Sequence, residues 1–287
     1  MEKSQERLDI LKKIEELERT EQWDVDVEND PPFTELLPHQ VDYLDKKWTS
    51  KIKTSIGNMM GKKFFEKMIK NNKLIIKDVK GIENYLAVEG GALLTCNHFN
   101  MCDNYAVHRV LFPYLSKKKT FYKIIREGNY TGFKGLIGFL FRNANTLPLS
   151  SNTDTMKNFM RAIKVLLERG EKILIYPEQA MWWNYKKPRP CKDGAFKLAV
   201  NNNKPIIPCF ITMEDSEYVG PDGFNIQAYT VNFMPPIYPN PEFNRKENVE
   251  YMKNKNFECW KECYEKTYGI PLEYLTKKDE KIVDKNE

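Results

Sequence analysis

The sequence is poor in histidine and lacks any grouping of metal-binding type. Its three histidines, His39, His98 and His108, are not gathered by a ligand spacing, and none of its six cysteines forms a C-x-x-C pair. This argues against a metal centre or a dithiol redox motif. No run of eighteen apolar residues occurs, so no simple membrane-spanning helix is expected. The first residues, MEKSQERLDI, have no signal-peptide apolar core, so reduced thiols in a cytosolic setting are the expectation. There is no internal repeat and no low-complexity block. Nor does either charge sign dominate: 45 basic against 40 acidic residues leave +5, which does not demand nucleic acid. What remains is a chain of 287 residues, 41% apolar and 30% charged, with ample material for a core.

The patterning is that of an α/β protein. RLDILKKIEELERTEQW has helical spacing, and DVDVENDPPF breaks it. From His39 to Lys70, Tyr43 or Leu44, Trp48, Ile52, Ile56, Met59 or Met60, and Phe64 recur at steps of three or four, which predicts an amphipathic helix. Its other face is expected to carry Lys46, Lys47, Lys51, Lys53, Lys62, Lys63 and Lys67, with a bend at Gly57 and Gly61. Strands are predicted at NKLIIKDV, GALLTC, TFYKIIR, EKILIYP, KPIIPCFI and AYTVNFMPP. Helices are predicted at DNYAVHRVLFPYL, SNTDTMKNFMRAIKVLLERG, DGAFKLAVNNN and NVEYMKNKNFECWKECYEKTYG.

The stretch CNHFNMCDNY, residues 96–105, places His98 between a strand and a helix, with Asp103 about one turn further on. Loops at the carboxyl ends of strands hold the chemistry of open α/β sheets. A neutral imidazole there can act as a general base, with the aspartate fixing its tautomer. The plain alternative is a capping histidine with an acid in the first helical turn. Cys102 is a possible nucleophile, although a buried structural cysteine is the commoner case.

Four boxes in order, with a further stretch after the third, change that balance. NHFNMCD resembles the N-H-x-x-x-x-D box of the glycerolipid (lysophospholipid) acyltransferase family. FLFR, 139–142, resembles its second box, and YPEQAMW, 176–182, resembles F-P-E-G-T-R-S in its first three positions. CKDGAFKLA resembles the lysine-x-glycine-alanine stretch that follows, and KPIIP resembles the fourth box. The resemblance covers about residues 74–235. It implies an α/β fold, a mixed β-sheet flanked by helices (glycerol-3-phosphate acyltransferase-like), with a helical amphipathic N-terminal segment. The expected division is 1–72, helical and membrane-associating; 73–240, the acyltransferase domain; and 241–287, a C-terminal helix and polar tail.

The implied activity is transfer of a fatty acyl group from acyl-CoA or acyl-carrier protein to a hydroxyl of a lysophospholipid, glycerol phosphate-type or glycolipid acceptor. His98 would be the base and Asp103 its orienting partner, with no metal and no cofactor. Arg142, Glu178, Lys192, Gly194 and Lys123 would bind substrate, with Lys186, Lys187 and Arg189 as weaker candidates. The third box departs from the family: Gln179, Ala180 and Met181 replace glycine, threonine and arginine. Trp182, Trp183 and Tyr185 then either stack on a sugar or lipid interface, or pack over the core. The basic stripe of 41–70 points to the cytoplasmic face of a membrane, bound peripherally. A thioester or ester hydrolase, or a non-catalytic lipid-binding protein, are the alternatives.

Overall fold

The computed structural model describes residues 2–115 and 120–277. In chain order the elements are α1 (Gln5–Arg19), α2 (Trp48–Lys70), β1 (Ile75–Lys80), α3 (Ile82–Leu86), β2 (Ala92–Thr95), α4 (Asp103–Leu111), β3 (Phe121–Ile125), α5 (Glu127–Thr131), α6 (Gly135–Asn143), β4 (Thr146–Pro148), α7 (Thr153–Glu168), β5 (Lys172–Ile175), α8 (Gly194–Asn201), β6 (Ile206–Val219), β7 (Asn225–Phe233) and α9 (Arg245–Tyr268). The strands form one sheet in the order β1-β7-β6-β2-β5-β3-β4. Strands β6, β2, β5, β3 and β4 run parallel, while β7 is antiparallel to β6 and parallel to β1. The expected mixed α/β sheet is what the chain forms.

The central strands are short and buried on both faces, as parallel strands covered by helices are. Alternation sorts their side chains. Leu94, Leu174, Ile207 and Phe121 pack with α4 residues Tyr105, Ala106 and Leu111 on one face. Leu93, Ile173, Ile206 and Ile124 pack with α7 and α8 on the other, against Phe159, Ile163, Leu166 and Phe196. Helix α7 starts where Asn152 accepts the N–H groups of Asp154 and Thr155. Helix α9 starts on a reciprocal Asn244–Glu247 cap and ends at Gly269, whose φ of 68° suits glycine.

Helix α2 differs from its sequence expectation in three ways. It begins at Trp48, because Asp42 accepts the Lys47 N–H and Tyr43 turns inward to donate its hydroxyl to the Pro148 carbonyl at 2.8 Å. It runs through Gly57 and Gly61 without interruption. Those glycines form its buried side instead: a Cβ at Gly57 would stand 2.2 Å from the Asn143 carbonyl oxygen of α6. Finally, the apolar stripe faces outward. Trp48 is 72% exposed, and Ile52, Ile56, Met59 and Met60 are exposed with it. Lys51, Lys53, Lys62, Lys63 and Lys67 are exposed too, so lysines and stripe are both turned to solvent rather than divided between core and water.

Candidate active site

Strands β2 and β5 are neighbours, paired from Ala92–Lys172 to Thr95–Ile175. Their carboxyl ends deliver His98 and Glu178 to the same place. The chain leaving β2 is anchored first by Asn97, whose amide exchanges two hydrogen bonds with the backbone of Ile211 on β6, at 2.8 and 3.0 Å. The next residue is His98, 21% exposed, whose Nδ1 lies 2.7 Å from Asp103 Oδ2. Asp103 is fully buried as the first residue of α4. Its Oδ2 also accepts the N–H groups of Phe99 and Asn100, at 3.1 and 3.3 Å, and its Oδ1 accepts the Tyr176 hydroxyl at 2.6 Å. These donors compensate the buried carboxylate. With Nδ1–H committed to Asp103, the base position of the ring is Nε2.

Glu178 holds the backbone of the histidine. Its Oε2 accepts the His98 N–H at 2.9 Å, and its Oε1 accepts the Arg189 N–H at 2.8 Å. The Arg189 guanidinium pairs with Glu178 at 2.9 Å, both side chains being buried. It also donates to the carbonyls of His98, Ala180 and Trp23, and its plane lies over Trp182. The His98 carbonyl takes a further bond from the Trp182 N–H at 3.1 Å. Gln179 stands at φ 68°, the left-handed conformation that glycine adopts most readily.

The nearby thiols are not poised as nucleophiles. Burial, with Asp103 beside it, pushes the Cys102 thiol up to about 12. Burial also pushes Cys96 and Cys191 well above the ordinary thiol range. A neutral thiol is a weak nucleophile.

Of the other sequence candidates, the structure groups only some with the pair. Glu178 is in contact with His98 through its backbone. Arg142 is exposed on α6, donates to the Tyr130 and Phe133 carbonyls at 3.1 Å, and lines a polar cavity with Asp42, Asp45, Lys47 and Lys53. Lys123 points into the protein, where its amine donates to the Ala144 carbonyl at 3.0 Å. Burial lowers its pKa to about 8, and burial together with Lys123 lowers that of His108 to about 2. Lys192 pairs with Asp24 at 2.9 Å, Lys187 with Glu18 at 2.6 Å, and Lys186 lies over Tyr268. Gly194 opens α8, and a Cβ there would meet nothing within 4 Å. The aromatic loop is packed rather than presented. Trp182 is fully buried, and Trp183 nearly so, against Ile10, Ile14 and Leu17 of α1.

Residues 77–212 match the family model named Acyltransferase. Over that span, just under half of its length, the chain resembles the acyltransferase family. That span contains His98, Asp103, Glu178 and Arg189, and leaves α1, α2 and α9 outside it. An acyltransferase of that family needs an acyl donor and an acceptor. Among solved structures, the 1-acyl-sn-glycerophosphate (LPA) acyltransferase PlsC from Thermotoga maritima is similar, with 18% identity, covering 76% of this chain and 84% of that one, at a TM-score of 0.45. No curated protein matches the chain.

Of the residues around the pair, Tyr176 was not legible in sequence, and Arg189 was legible only as a weaker substrate-binding candidate. Tyr176 precedes Glu178 by two residues at a strand end, and an aromatic there reads as core. Arg189 reads as one of several basic residues in a loop. Its pairing with Glu178 depends on the path of that loop, which no spacing rule supplies.

Proposed function

We propose that the protein moves a fatty acyl group from the thioester of acyl-CoA or acyl-carrier protein to a hydroxyl of a lysophospholipid or other glycerophosphate-type acceptor. The observation that carries this reading is the 2.7 Å His98–Asp103 pair at the carboxyl end of the central strand, inside the acyltransferase span. In this mechanism His98 Nε2 takes the proton of the acceptor hydroxyl as its oxygen attacks the thioester carbonyl. Asp103 stabilises the imidazolium that forms. The tetrahedral intermediate then expels the thiolate, which recovers the proton from His98. A thioester is a good electrophile, so a base and alignment suffice without an acyl-enzyme. The high-lying thiols of Cys102 and Cys96 favour this direct route over a covalent one.

The acceptor is a membrane lipid in this reading, and α2 is the element that meets the membrane. Its exposed Trp48, Ile52, Ile56 and Met59 would enter the headgroup layer while the lysines meet anionic lipid. No helix among the described residues is long and apolar enough to cross a bilayer. Incubation with labelled acyl-CoA and a panel of lysolipids, read by mass spectrometry, tests the reading. Acylated lipid that depends on His98 supports it. Free fatty acid with no lipid product would overturn it in favour of hydrolysis.

A further inference from the structure

Tyr176 follows β5 directly and touches both members of the pair. Its ring lies on the His98 imidazole with centroids 4.0 Å apart and planes at 22°. Its hydroxyl donates to Asp103 Oδ1 at 2.6 Å, while Oδ2 serves His98 and two backbone N–H groups. Those bonds hold the carboxylate by one oxygen, and rotation about its Cβ–Cγ bond would carry that oxygen away from the ring nitrogen. The phenol opposes that rotation from the far oxygen, and its ring limits tilting of the imidazole. We propose that Tyr176 is a positioning residue for this site, fixing the Asp103 carboxylate through its hydroxyl and the His98 plane through its ring. This rests on the reading of His98 as general base.

The phenol is held as a donor, because burial and the adjacent Asp103 push its ionisation well above the ordinary range. The other titratable or charged groups around the pair come from each packed element: Glu178 and Arg189 from the loop after β5, Cys96 from the end of β2, Cys102 from before α4, Cys209 from β6 and Tyr229 from β7. Burial raises Cys96, Cys102 and Tyr229, which stay neutral, and Glu178 is balanced by Arg189.

The test is Tyr176→Phe, which removes one oxygen and keeps the ring, beside Tyr176→Leu, which removes both contacts. Activity is measured with palmitoyl-CoA against lysophosphatidic acid, lysophosphatidylglycerol and lysophosphatidylethanolamine. The His98 Nδ1–H proton resonance, identified by its absence in His98→Ala, is followed by NMR. For Tyr176→Phe we expect kcat to fall about tenfold with KM within about twofold, as for a group that only aligns the base. The acid limb of kcat/KM should move up by about half a unit or more, since a carboxylate relieved of one donor holds an imidazolium more firmly. The Nδ1–H resonance should shift or broaden, and Tyr176→Leu should lose more activity than Tyr176→Phe. An unmoved resonance with an unchanged pH limb in Tyr176→Phe would overturn the role of the hydroxyl. Equal losses in the two variants would overturn that of the ring. If the wild type acylates none of these lipids but the resonance still moves, the positioning stands and the proposed reaction fails.

Discussion

At the scale of single residues, a histidine with one ring nitrogen bound by a buried carboxylate is prepared to accept a proton on the other. Replacing His98 with alanine should lower turnover by about a hundredfold to ten-thousandfold. The melting temperature should hardly change, because His98 is partly exposed and its backbone bonds survive. Near-normal turnover in the folded variant would refute the assignment. Cys102→Ser should stay active, and no acyl group should appear on the Cys102 peptide after incubation with acyl-CoA. The local pair was legible because both residues lie on one short loop, where sequence spacing nearly dictates spatial spacing. Lys123 was not, since only the alternation of β3 and the cover above it turn its amine inward. Its folded pKa of about 8 lies below the ordinary 10.5. The unfolded chain therefore binds more protons between those values, and stability should rise with pH across that window. The penalty below it is on the order of 3 kcal/mol. Lys123→Met should raise the melting temperature near pH 7 and flatten the rise toward pH 10. A lower melting temperature would show that the Ala144 bond outweighs the burial of charge.

At the scale of the element, α2 shows what periodicity determines and what it leaves open. The three-and-four spacing identified the helix and its stripe from Trp48 onward, but Tyr43 lies before it, and the side that packs is the one marked by glycine. Gly57 and Gly61 remove side-chain volume so that α6 can approach, and a pattern search for apolar residues is blind to that. The membrane test is sharper as a result. Replacing Trp48, Ile52 and Ile56 with serine should weaken flotation with anionic vesicles and leave the melting temperature unchanged, since little of that surface is buried. Added salt should weaken flotation of the wild type as well, each lysine contributing about 1 kcal/mol or less. Gly57→Leu is the reverse case: it should lower the melting temperature through the clash with α6. Flotation that survives loss of the stripe would mean that the protein meets lipid elsewhere.

At the scale of the molecule, the loop after β5 is where distant parts of the chain meet. Helix α1 packs on Trp182 and Trp183, and Arg189 reaches back to the Trp23 carbonyl. From the other end of the chain, Tyr274 donates to the Pro188 carbonyl at 2.6 Å, and Glu18 accepts the Leu275 N–H at 2.8 Å. None of these contacts has a local signature, which is why the tryptophans were equally readable as a binding surface. Their convergence makes the Glu178–Arg189 pair the link between the overall fold and the position of His98. Arg189→Met should therefore leave Glu178 buried without its charge partner, at a cost of about 3–5 kcal/mol, and thermal unfolding will register it. Adding Glu178→Gln removes the stranded charge, so the double variant should regain much of that stability. Its turnover should nevertheless remain low, because the carboxylate that accepts the His98 N–H and the guanidinium that binds the His98 carbonyl are both gone. A double variant that recovers stability and turnover together would mean that the loop needs only packing here. Recovery of stability alone would assign to the ion pair the placement of the histidine, separately from the folding of the loop.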